Sequence, residues 1–423
     1  MAEEEENEHL VFGGVDTVDL AENYGTPLYV TDERRLRANF RSYTDAFEMR
    51  DTAIFYAVKA NGNLAILRIL AREGAGADVF SAGELHLTKL AGIPPEKTLF
   101  NGNSKSVEDL RVAVESGVTV SVDSRDELNA LSAVATAVGK ESEVAIRVNP
   151  DVSPVTHPKI ATGLRESKFG IPFYEVSSAC EEAEKLPGIA LTGLHCHIGS
   201  QILDVSVFRE AAEKMMNLVE VLHKNGTALT FVDLGGGLGI GYRPGEKAPT
   251  PEDLAEAIVP VIEKKRHESG IQLKLILEPG RSIVGETTIL LSRVNAVKRA
   301  YRTFVAIDAG FNLLIRPAMY DAYHDVVVAN KVNEQASELY TVVGPVCESG
   351  DIIARDRMLP EVARGDLVAI RDAGAYGFSM SSQYNGRPRC AEVLVCDGEV
   401  DVTRSRESVE DLIRNQEIPA RLM

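Results

Sequence analysis

Between residues 53 and 277 the chain carries eight short runs rich in Val, Ile, Leu and Phe, at 53–58, 77–81, 98–101, 118–122, 144–148, 191–197, 230–234 and 273–277. Amphipathic stretches lie between them, at 64–72, 83–90, 106–115, 125–138, 174–186, 207–224 and 251–267. Short apolar runs alternating with helical periodicity predict buried strands of a parallel sheet. Eight is the strand number that closes a (β/α)8 barrel of about 250 residues. An open doubly wound sheet is the rival, but it normally carries a glycine fingerprint after its first strand. None stands there. The predicted fold is α/β, a (β/α)8 TIM barrel over residues 31–280.

After Glu278 the pattern changes. Runs at 289–297, 303–308, 325–332, 339–343, 366–370 and 392–397 have turn residues between them and no long helical stretch. They predict an antiparallel β domain, a sandwich or barrel, over 281–423. Residues 13–30 also read as extended, and residues 1–30 are expected to join that β domain. At 423 residues, two domains are the natural expectation.

Composition narrows the function. No apolar run approaches the roughly 20 residues that span a bilayer. The start, Met1-Ala2-Glu3-Glu4-Glu5-Glu6, is acidic where an export signal is basic, and reads as a short solvated tail. The five cysteines form no CxxC pair, which suits a reducing cytoplasm and speaks against disulfides or a structural zinc. A net charge of −18 disfavours nucleic acid and anionic membranes as partners.

The chemistry-bearing residues fall where barrel strands end, which is where such barrels build active sites. The first run stops on Lys59. Burial favours a neutral amine, and a neutral amine can hold an aldehyde as a Schiff base. Taken alone, Lys59 also reads as an ordinary surface lysine at a strand end. The sixth run ends in His195-Cys196-His197-Ile198-Gly199-Ser200-Gln201. His197 could be a core residue, an acid–base group or a flat face for a ring. A metal is set aside because no acidic third ligand stands at metalloenzyme spacing.

The seventh run ends in Gly235-Gly236-Gly237, which fits either an anion cradle or a tight strand-to-loop turn. The eighth ends in Glu278-Pro279-Gly280-Arg281. A carboxylate there could pair with Arg281 or keep a ring nitrogen protonated. Arg281 and Arg316 suit bidentate carboxylate recognition. Cys347-Glu348, on a loop bounded by Gly344-Pro345 and Gly350, is a candidate proton donor pair.

Together the segments 56–61, 78–85, 195–201, 235–239, 278–281, 308–324, 347–351 and 372–385 resemble the fold-type III pyridoxal-phosphate decarboxylases over nearly the whole chain. Ala82 and Leu313 depart from that pattern, away from the proposed chemistry. The resemblance implies pyridoxal 5'-phosphate carried on Lys59 and stacked under His197. It implies a phosphate held by Ser200, Gly236, Gly237, Gly280 and Tyr376, with Arg281 beside the cofactor and Glu278 at the pyridine nitrogen.

The reaction implied is decarboxylation of meso-2,6-diaminopimelate to L-lysine. Arg281, Arg316, Tyr320 and Tyr376 would take the substrate's non-reacting end, Glu348 its ammonium, and Cys347 would return the proton. A homodimer with shared sites is also implied. The alternatives are an ornithine, arginine or carboxynorspermidine decarboxylase, an alanine racemase, or a non-catalytic regulator. Cys347-Glu348 speaks against the racemase, which would need a tyrosine as the opposing acid–base group. Intact Lys59 and Cys347 speak against the regulator.

Overall fold

The computed structural model describes residues 8–48, 51–152, 163 and 166–423. The acidic start of the chain lies outside the described residues. By their contacts the described residues fall into two compact units. One spans Arg37–Gly241 and Glu246–Val284; the other takes the chain up to Leu36, Tyr242–Gly245 and everything from Gly285.

The first unit is the barrel. Its strands are Thr52–Ala57, Gly76–Val79, Thr98–Phe100, Thr119–Val122, Ser142–Asn149, Ile189–His195, Phe231–Asp233 and Lys274–Leu277. Each pairs in parallel with the next, and Lys274–Leu277 pairs with Thr52–Ala57 to close the ring. All eight coincide with the apolar runs, because strands buried on both faces read as continuous hydrophobic sequence.

Local signals start and stop the intervening helices. Ser106 and Asp109 form a capping box ahead of Val107–Ser116, and Gly117 ends that helix in a left-handed conformation. Thr250 and Asp253 do the same for Pro251–Ser269, with Gly270 at its end. Asn63 caps Leu64–Arg72 by accepting from the Ala65 amide.

Strand side chains repeat every two residues, so the barrel interior can be read along each strand. One inward position on five strands holds Phe55, Leu99, Ala145, Phe231 and Ile276, a buried apolar cluster. Gly76 and Gly193 stand at that position on two more strands. A Cβ there would lie 2.3 Å from the Phe55 ring and 2.4 Å from the Phe231 ring, so the aromatic rings fill the space the glycines leave. The next inward position, two residues towards the C-terminal ends, carries Asp78, Asn101, Ser121, Arg147, His195, Asp233 and Glu278. All seven are buried.

The second unit is built on one long strand, Thr288–Arg299. It pairs antiparallel with Leu28–Asp32, Thr303–Ile307 and Leu367–Ile370. Most of the sheet is antiparallel, but Thr303–Ile307 runs parallel to Glu338–Val343, and Leu28–Asp32 parallel to Ala391–Cys396. Two buried clusters, one around Tyr340 and Ile307 and one around Leu28 and Val393, pack this unit.

Two expectations need correction here. Residues 13–30 are not extended throughout: Thr17–Tyr24 is a helix, and the Asp16 carboxylate caps it by accepting from the Val18 amide at 2.7 Å. Strands Ile352–Leu359 and Glu399–Arg404 were not anticipated. Each pairs with a single neighbour, and Glu399–Arg404 is largely exposed, so neither is a hydrophobic run.

Candidate active site

Lys59 sits in a single helical turn, Val58–Ala60, directly after the first barrel strand. Its side chain is 30% exposed and makes an ion pair with the fully buried Asp78. The ammonium also lies 4.8 Å from the centre of the Phe80 ring. The other Asp78 oxygen accepts from the Asn101 amide at 2.7 Å, and the same amide nitrogen donates to Glu278 Oε1 at 2.7 Å. Glu278 Oε2 lies 3.4 Å from His195 Nε2, and His195 Nδ1 lies 2.8 Å from Ser121 Oγ. A chain of polar contacts therefore crosses the barrel from Lys59 to Ser121, built on six strand ends.

Charge is unevenly shared along this chain. Burial alone would push Glu278 up, but His195 and Lys59 hold it below the ordinary carboxylate range. Burial and the Glu278 charge push both Asp78 and Asp233 up. The negative charge is thus concentrated on Glu278, while Asp233 favours its proton. Glu278 finds its partners in Asn101 and His195.

His195 and His197 part company. His195 is buried beside Glu278. The half-buried His197 lies past the strand end, where its Nδ1 accepts from the Gly236 amide at 3.2 Å. Burial and the Lys59 charge push its pKa down to about 3. His197 is therefore a neutral ring. His195, Asp233 and Glu278 offer ligand atoms within 4.8 Å of one another. The absence of acidic residues near the histidines, inferred from spacing, is thus corrected: the fold supplies two acids from other strands.

The glycine run is a packing device as well as a loop. A Cβ on Gly236 would meet the Glu278 carbonyl at 1.9 Å, and one on Gly237 the Gly199 carbonyl at 2.4 Å. The Gly235 amide donates to Asp233 Oδ1 at 2.7 Å. Arg281 is buried and donates to Ser200 Oγ at 3.0 Å, linking the loops after the sixth and eighth strands. Gly280 packs against Ala57 and Ala60, flanking Lys59.

The remaining candidates belong to the second unit. Arg316 is buried at the start of the short helix Arg316–Tyr320. Tyr320 and Tyr376 are half-buried, and Tyr376 adopts a left-handed backbone with φ of 57°. Cys347 is exposed, its amide donating to Asn385 Oδ1 at 2.7 Å, and Glu348 accepts from the Tyr384 hydroxyl at 2.9 Å.

Sequence reasoning missed Asp78, Asn101 and Ser121 as parts of the site. The available signal was an acid and an amide inside or just after runs otherwise free of polar groups, since such residues are seldom buried without partners.

An amine paired with a buried acid, an ionised carboxylate buried inside the barrel, a neutral ring and an arginine–serine pair form a donor set suited to an aldehyde-bearing, phosphorylated pyridine. Comparison with known proteins agrees. Residues 33–285 match the family described as pyridoxal-dependent decarboxylase, pyridoxal binding domain. A diaminopimelate decarboxylase of Archaeoglobus fulgidus is 57% identical over 414 residues, 98% of each chain. The solved diaminopimelate decarboxylase of M. jannaschii in complex with L-lysine superposes with a TM-score of 0.94 at 41% identity, covering 99% of this chain and 98% of that one. The Helicobacter pylori enzyme complexed with L-lysine gives 0.89 at 38%, covering 94% and 98%. The chain belongs to the pyridoxal-dependent decarboxylases.

Proposed function

We propose that this protein decarboxylates meso-2,6-diaminopimelate to L-lysine, with pyridoxal phosphate as its cofactor. The geometric observation that carries the reading is the polar chain Lys59–Asp78–Asn101–Glu278 at the C-terminal mouth of the barrel. The likeness to diaminopimelate decarboxylases over nearly the full length supports the substrate. In this reading residues 31–280 form the pyridoxal-binding domain, and residues 1–30 and 281–423 the β domain.

When bound, the cofactor supplies an electron sink for the pair released as carbon dioxide leaves. Lys59 holds it through the side-chain amine, and Asp78 is placed to take that amine's proton. Glu278, kept ionised by His195 and Lys59, holds a proton at the pyridine nitrogen. His197 lends a neutral face to the ring. Ser200, Arg281, Gly236, Gly237, Gly280 and Tyr376 hold the phosphate end. Arg281, Arg316, Tyr320 and Tyr376 bind the substrate's distal end, where Glu348 reads the ammonium. Cys347 Sγ delivers the proton to the carbon that has lost its carboxylate.

The deciding assay offers the purified protein a panel of diamino acids and measures carbon dioxide. Release from meso-diaminopimelate and not from ornithine or arginine is expected; the reverse would point to a sister decarboxylase.

The active site is shared in a homodimer, with Cys347 and Glu348 contributed by the partner chain. The support is the family resemblance. Mixing Lys59→Ala with Cys347→Ala under subunit exchange tests it. Half the dimers would be mixed, each with one intact site, so activity should recover to roughly a quarter of wild type. No recovery despite demonstrated exchange would leave each site within one chain. A cytoplasmic setting is supported by five free cysteines, and net charge −18 speaks against nucleic-acid partners. Among the described residues no helix is long and apolar enough to cross a membrane.

A further inference from the structure

Arg316 is held by a histidine whose two ring nitrogens have fixed roles. His324 is fully buried. Its Nδ1 lies 2.9 Å from the Arg371 carbonyl oxygen, and its Nε2 lies 2.8 Å from Arg316 Nη1. A carbonyl only accepts and a guanidinium only donates. Nδ1 therefore carries the proton and Nε2 accepts, so His324 is the neutral Nδ1–H tautomer.

A second contact fixes the same guanidinium. Its central carbon lies 4.4 Å from the centre of the Tyr242 ring, and Tyr242 meets the His324 ring edge-on, at 5.3 Å and 70°. The backbone makes the arrangement possible. Arg316 opens a helix of five residues, and Asp321, with φ of 50°, turns the chain so that His324 returns beside it.

We propose that His324 is a positioning residue for recognition of the substrate's distal carboxylate. By accepting at one Nη it fixes the rotation of the Arg316 guanidinium plane, and Tyr242 fixes its tilt. The guanidinium plane is then set in one orientation for a planar, two-pronged carboxylate before the ligand arrives. An ordered arginine spares the ligand the entropy of ordering it. The proposal rests on the reading of Arg316 above.

The test compares holoenzymes carrying His324→Asn, His324→Gln and Arg316→Leu. Asparagine can still donate to the Arg371 carbonyl but is too short to accept from Arg316. Glutamine retains an acceptor at the reach of Nε2. The probes are L-lysine, which keeps the amino-acid head group, and cadaverine, which has no carboxylate. Binding is measured by calorimetry, together with KM and kcat for diaminopimelate.

His324→Asn should weaken L-lysine and raise KM by about tenfold to a hundredfold, the worth of one hydrogen bond to a charged group. Cadaverine affinity and kcat should stay within about threefold. His324→Gln should recover most of the loss. Equal weakening of L-lysine and cadaverine would mark a purely structural role and overturn the proposal. So would a glutamine variant as impaired as the asparagine one. If Arg316→Leu itself fails to separate L-lysine from cadaverine, the reading of Arg316 falls first. If it separates them and His324→Asn does not, only the role of His324 falls.

Discussion

Two neighbouring sets of inward side chains in the barrel differ completely in character. Phe55, Leu99, Ala145, Phe231 and Ile276 form a buried apolar plug. Two residues further along four of the same strands stand Asn101, Arg147, Asp233 and Glu278, joined by Asp78, Ser121 and His195 from other strands. Both sets are buried. The plug gains from burial, as apolar surface does. The polar set is costly to bury and persists because each member is hydrogen-bonded or charge-paired. A step of two residues thus separates apolar packing from a buried polar network.

Substitutions should pull the two sets apart. The largest effect is expected at the polar rim. Lys59→Ala should abolish turnover, and borohydride, which should otherwise fix the pyridoxal group on Lys59, should label no lysine. A label mapped by mass spectrometry to any other lysine would refute the assignment.

Glu278→Gln should come next, with kcat lower by about 10²–10³-fold, the usual worth of a preorganised charge. Lys59 should still take the label. The Glu278 charge helps push Asp78 and Asp233 up. Both should therefore titrate lower in the variant, which NMR of the two carboxyls can follow. Unchanged kcat would remove Glu278 from the mechanism.

In the plug the opposite is expected. Phe231→Ala should cost about 3–5 kcal/mol of unfolding free energy, the range for an emptied aromatic site. Borohydride labelling per folded molecule should match wild type, because Phe231 belongs to the apolar cluster rather than to the polar set. Denaturant titration and labelling stoichiometry together decide; a labelling loss larger than the folded fraction predicts would merge the two sets.

The smallest effect concerns His197. The folded protein pushes its pKa down to about 3, whereas an unfolded histidine titrates near about 6.5. Between those values the unfolded chain binds the extra proton, so stability falls as pH falls through that window. His197→Gln in cofactor-free protein should flatten that acid limb, seen as a smaller stability difference between neutral and mildly acidic pH. An identical limb would show that His197 is not held neutral.

Much of this was legible in the chain. Strands buried on both faces are continuous apolar runs, and the helices between them carry their own caps, such as Ser106 with Asp109 and Thr250 with Asp253. The placement of Lys59, His197, Glu278 and Arg281 at strand ends was legible because the chain changes character abruptly there. Less was legible where exposure blurs the pattern. Glu399–Arg404 pairs along one edge only and alternates weakly. Thr17–Tyr24 is a short helix whose start depends on the Asp16 cap, a signal easily lost between two strands.

By itself the sequence determined the barrel, its eight strands and the identity of the groups at their ends, since hydrophobic periodicity and capping are local properties. Only the tertiary structure decided which of those groups meet. Asp78, Asn101 and Glu278 stand 23 and 177 residues apart along the chain and share one amide nitrogen. That meeting depends on ring closure and on strand register, which no local pattern encodes. The same holds for His324: its place beside Arg316 follows from one left-handed turn at Asp321, and its tautomer from a carbonyl 47 residues away.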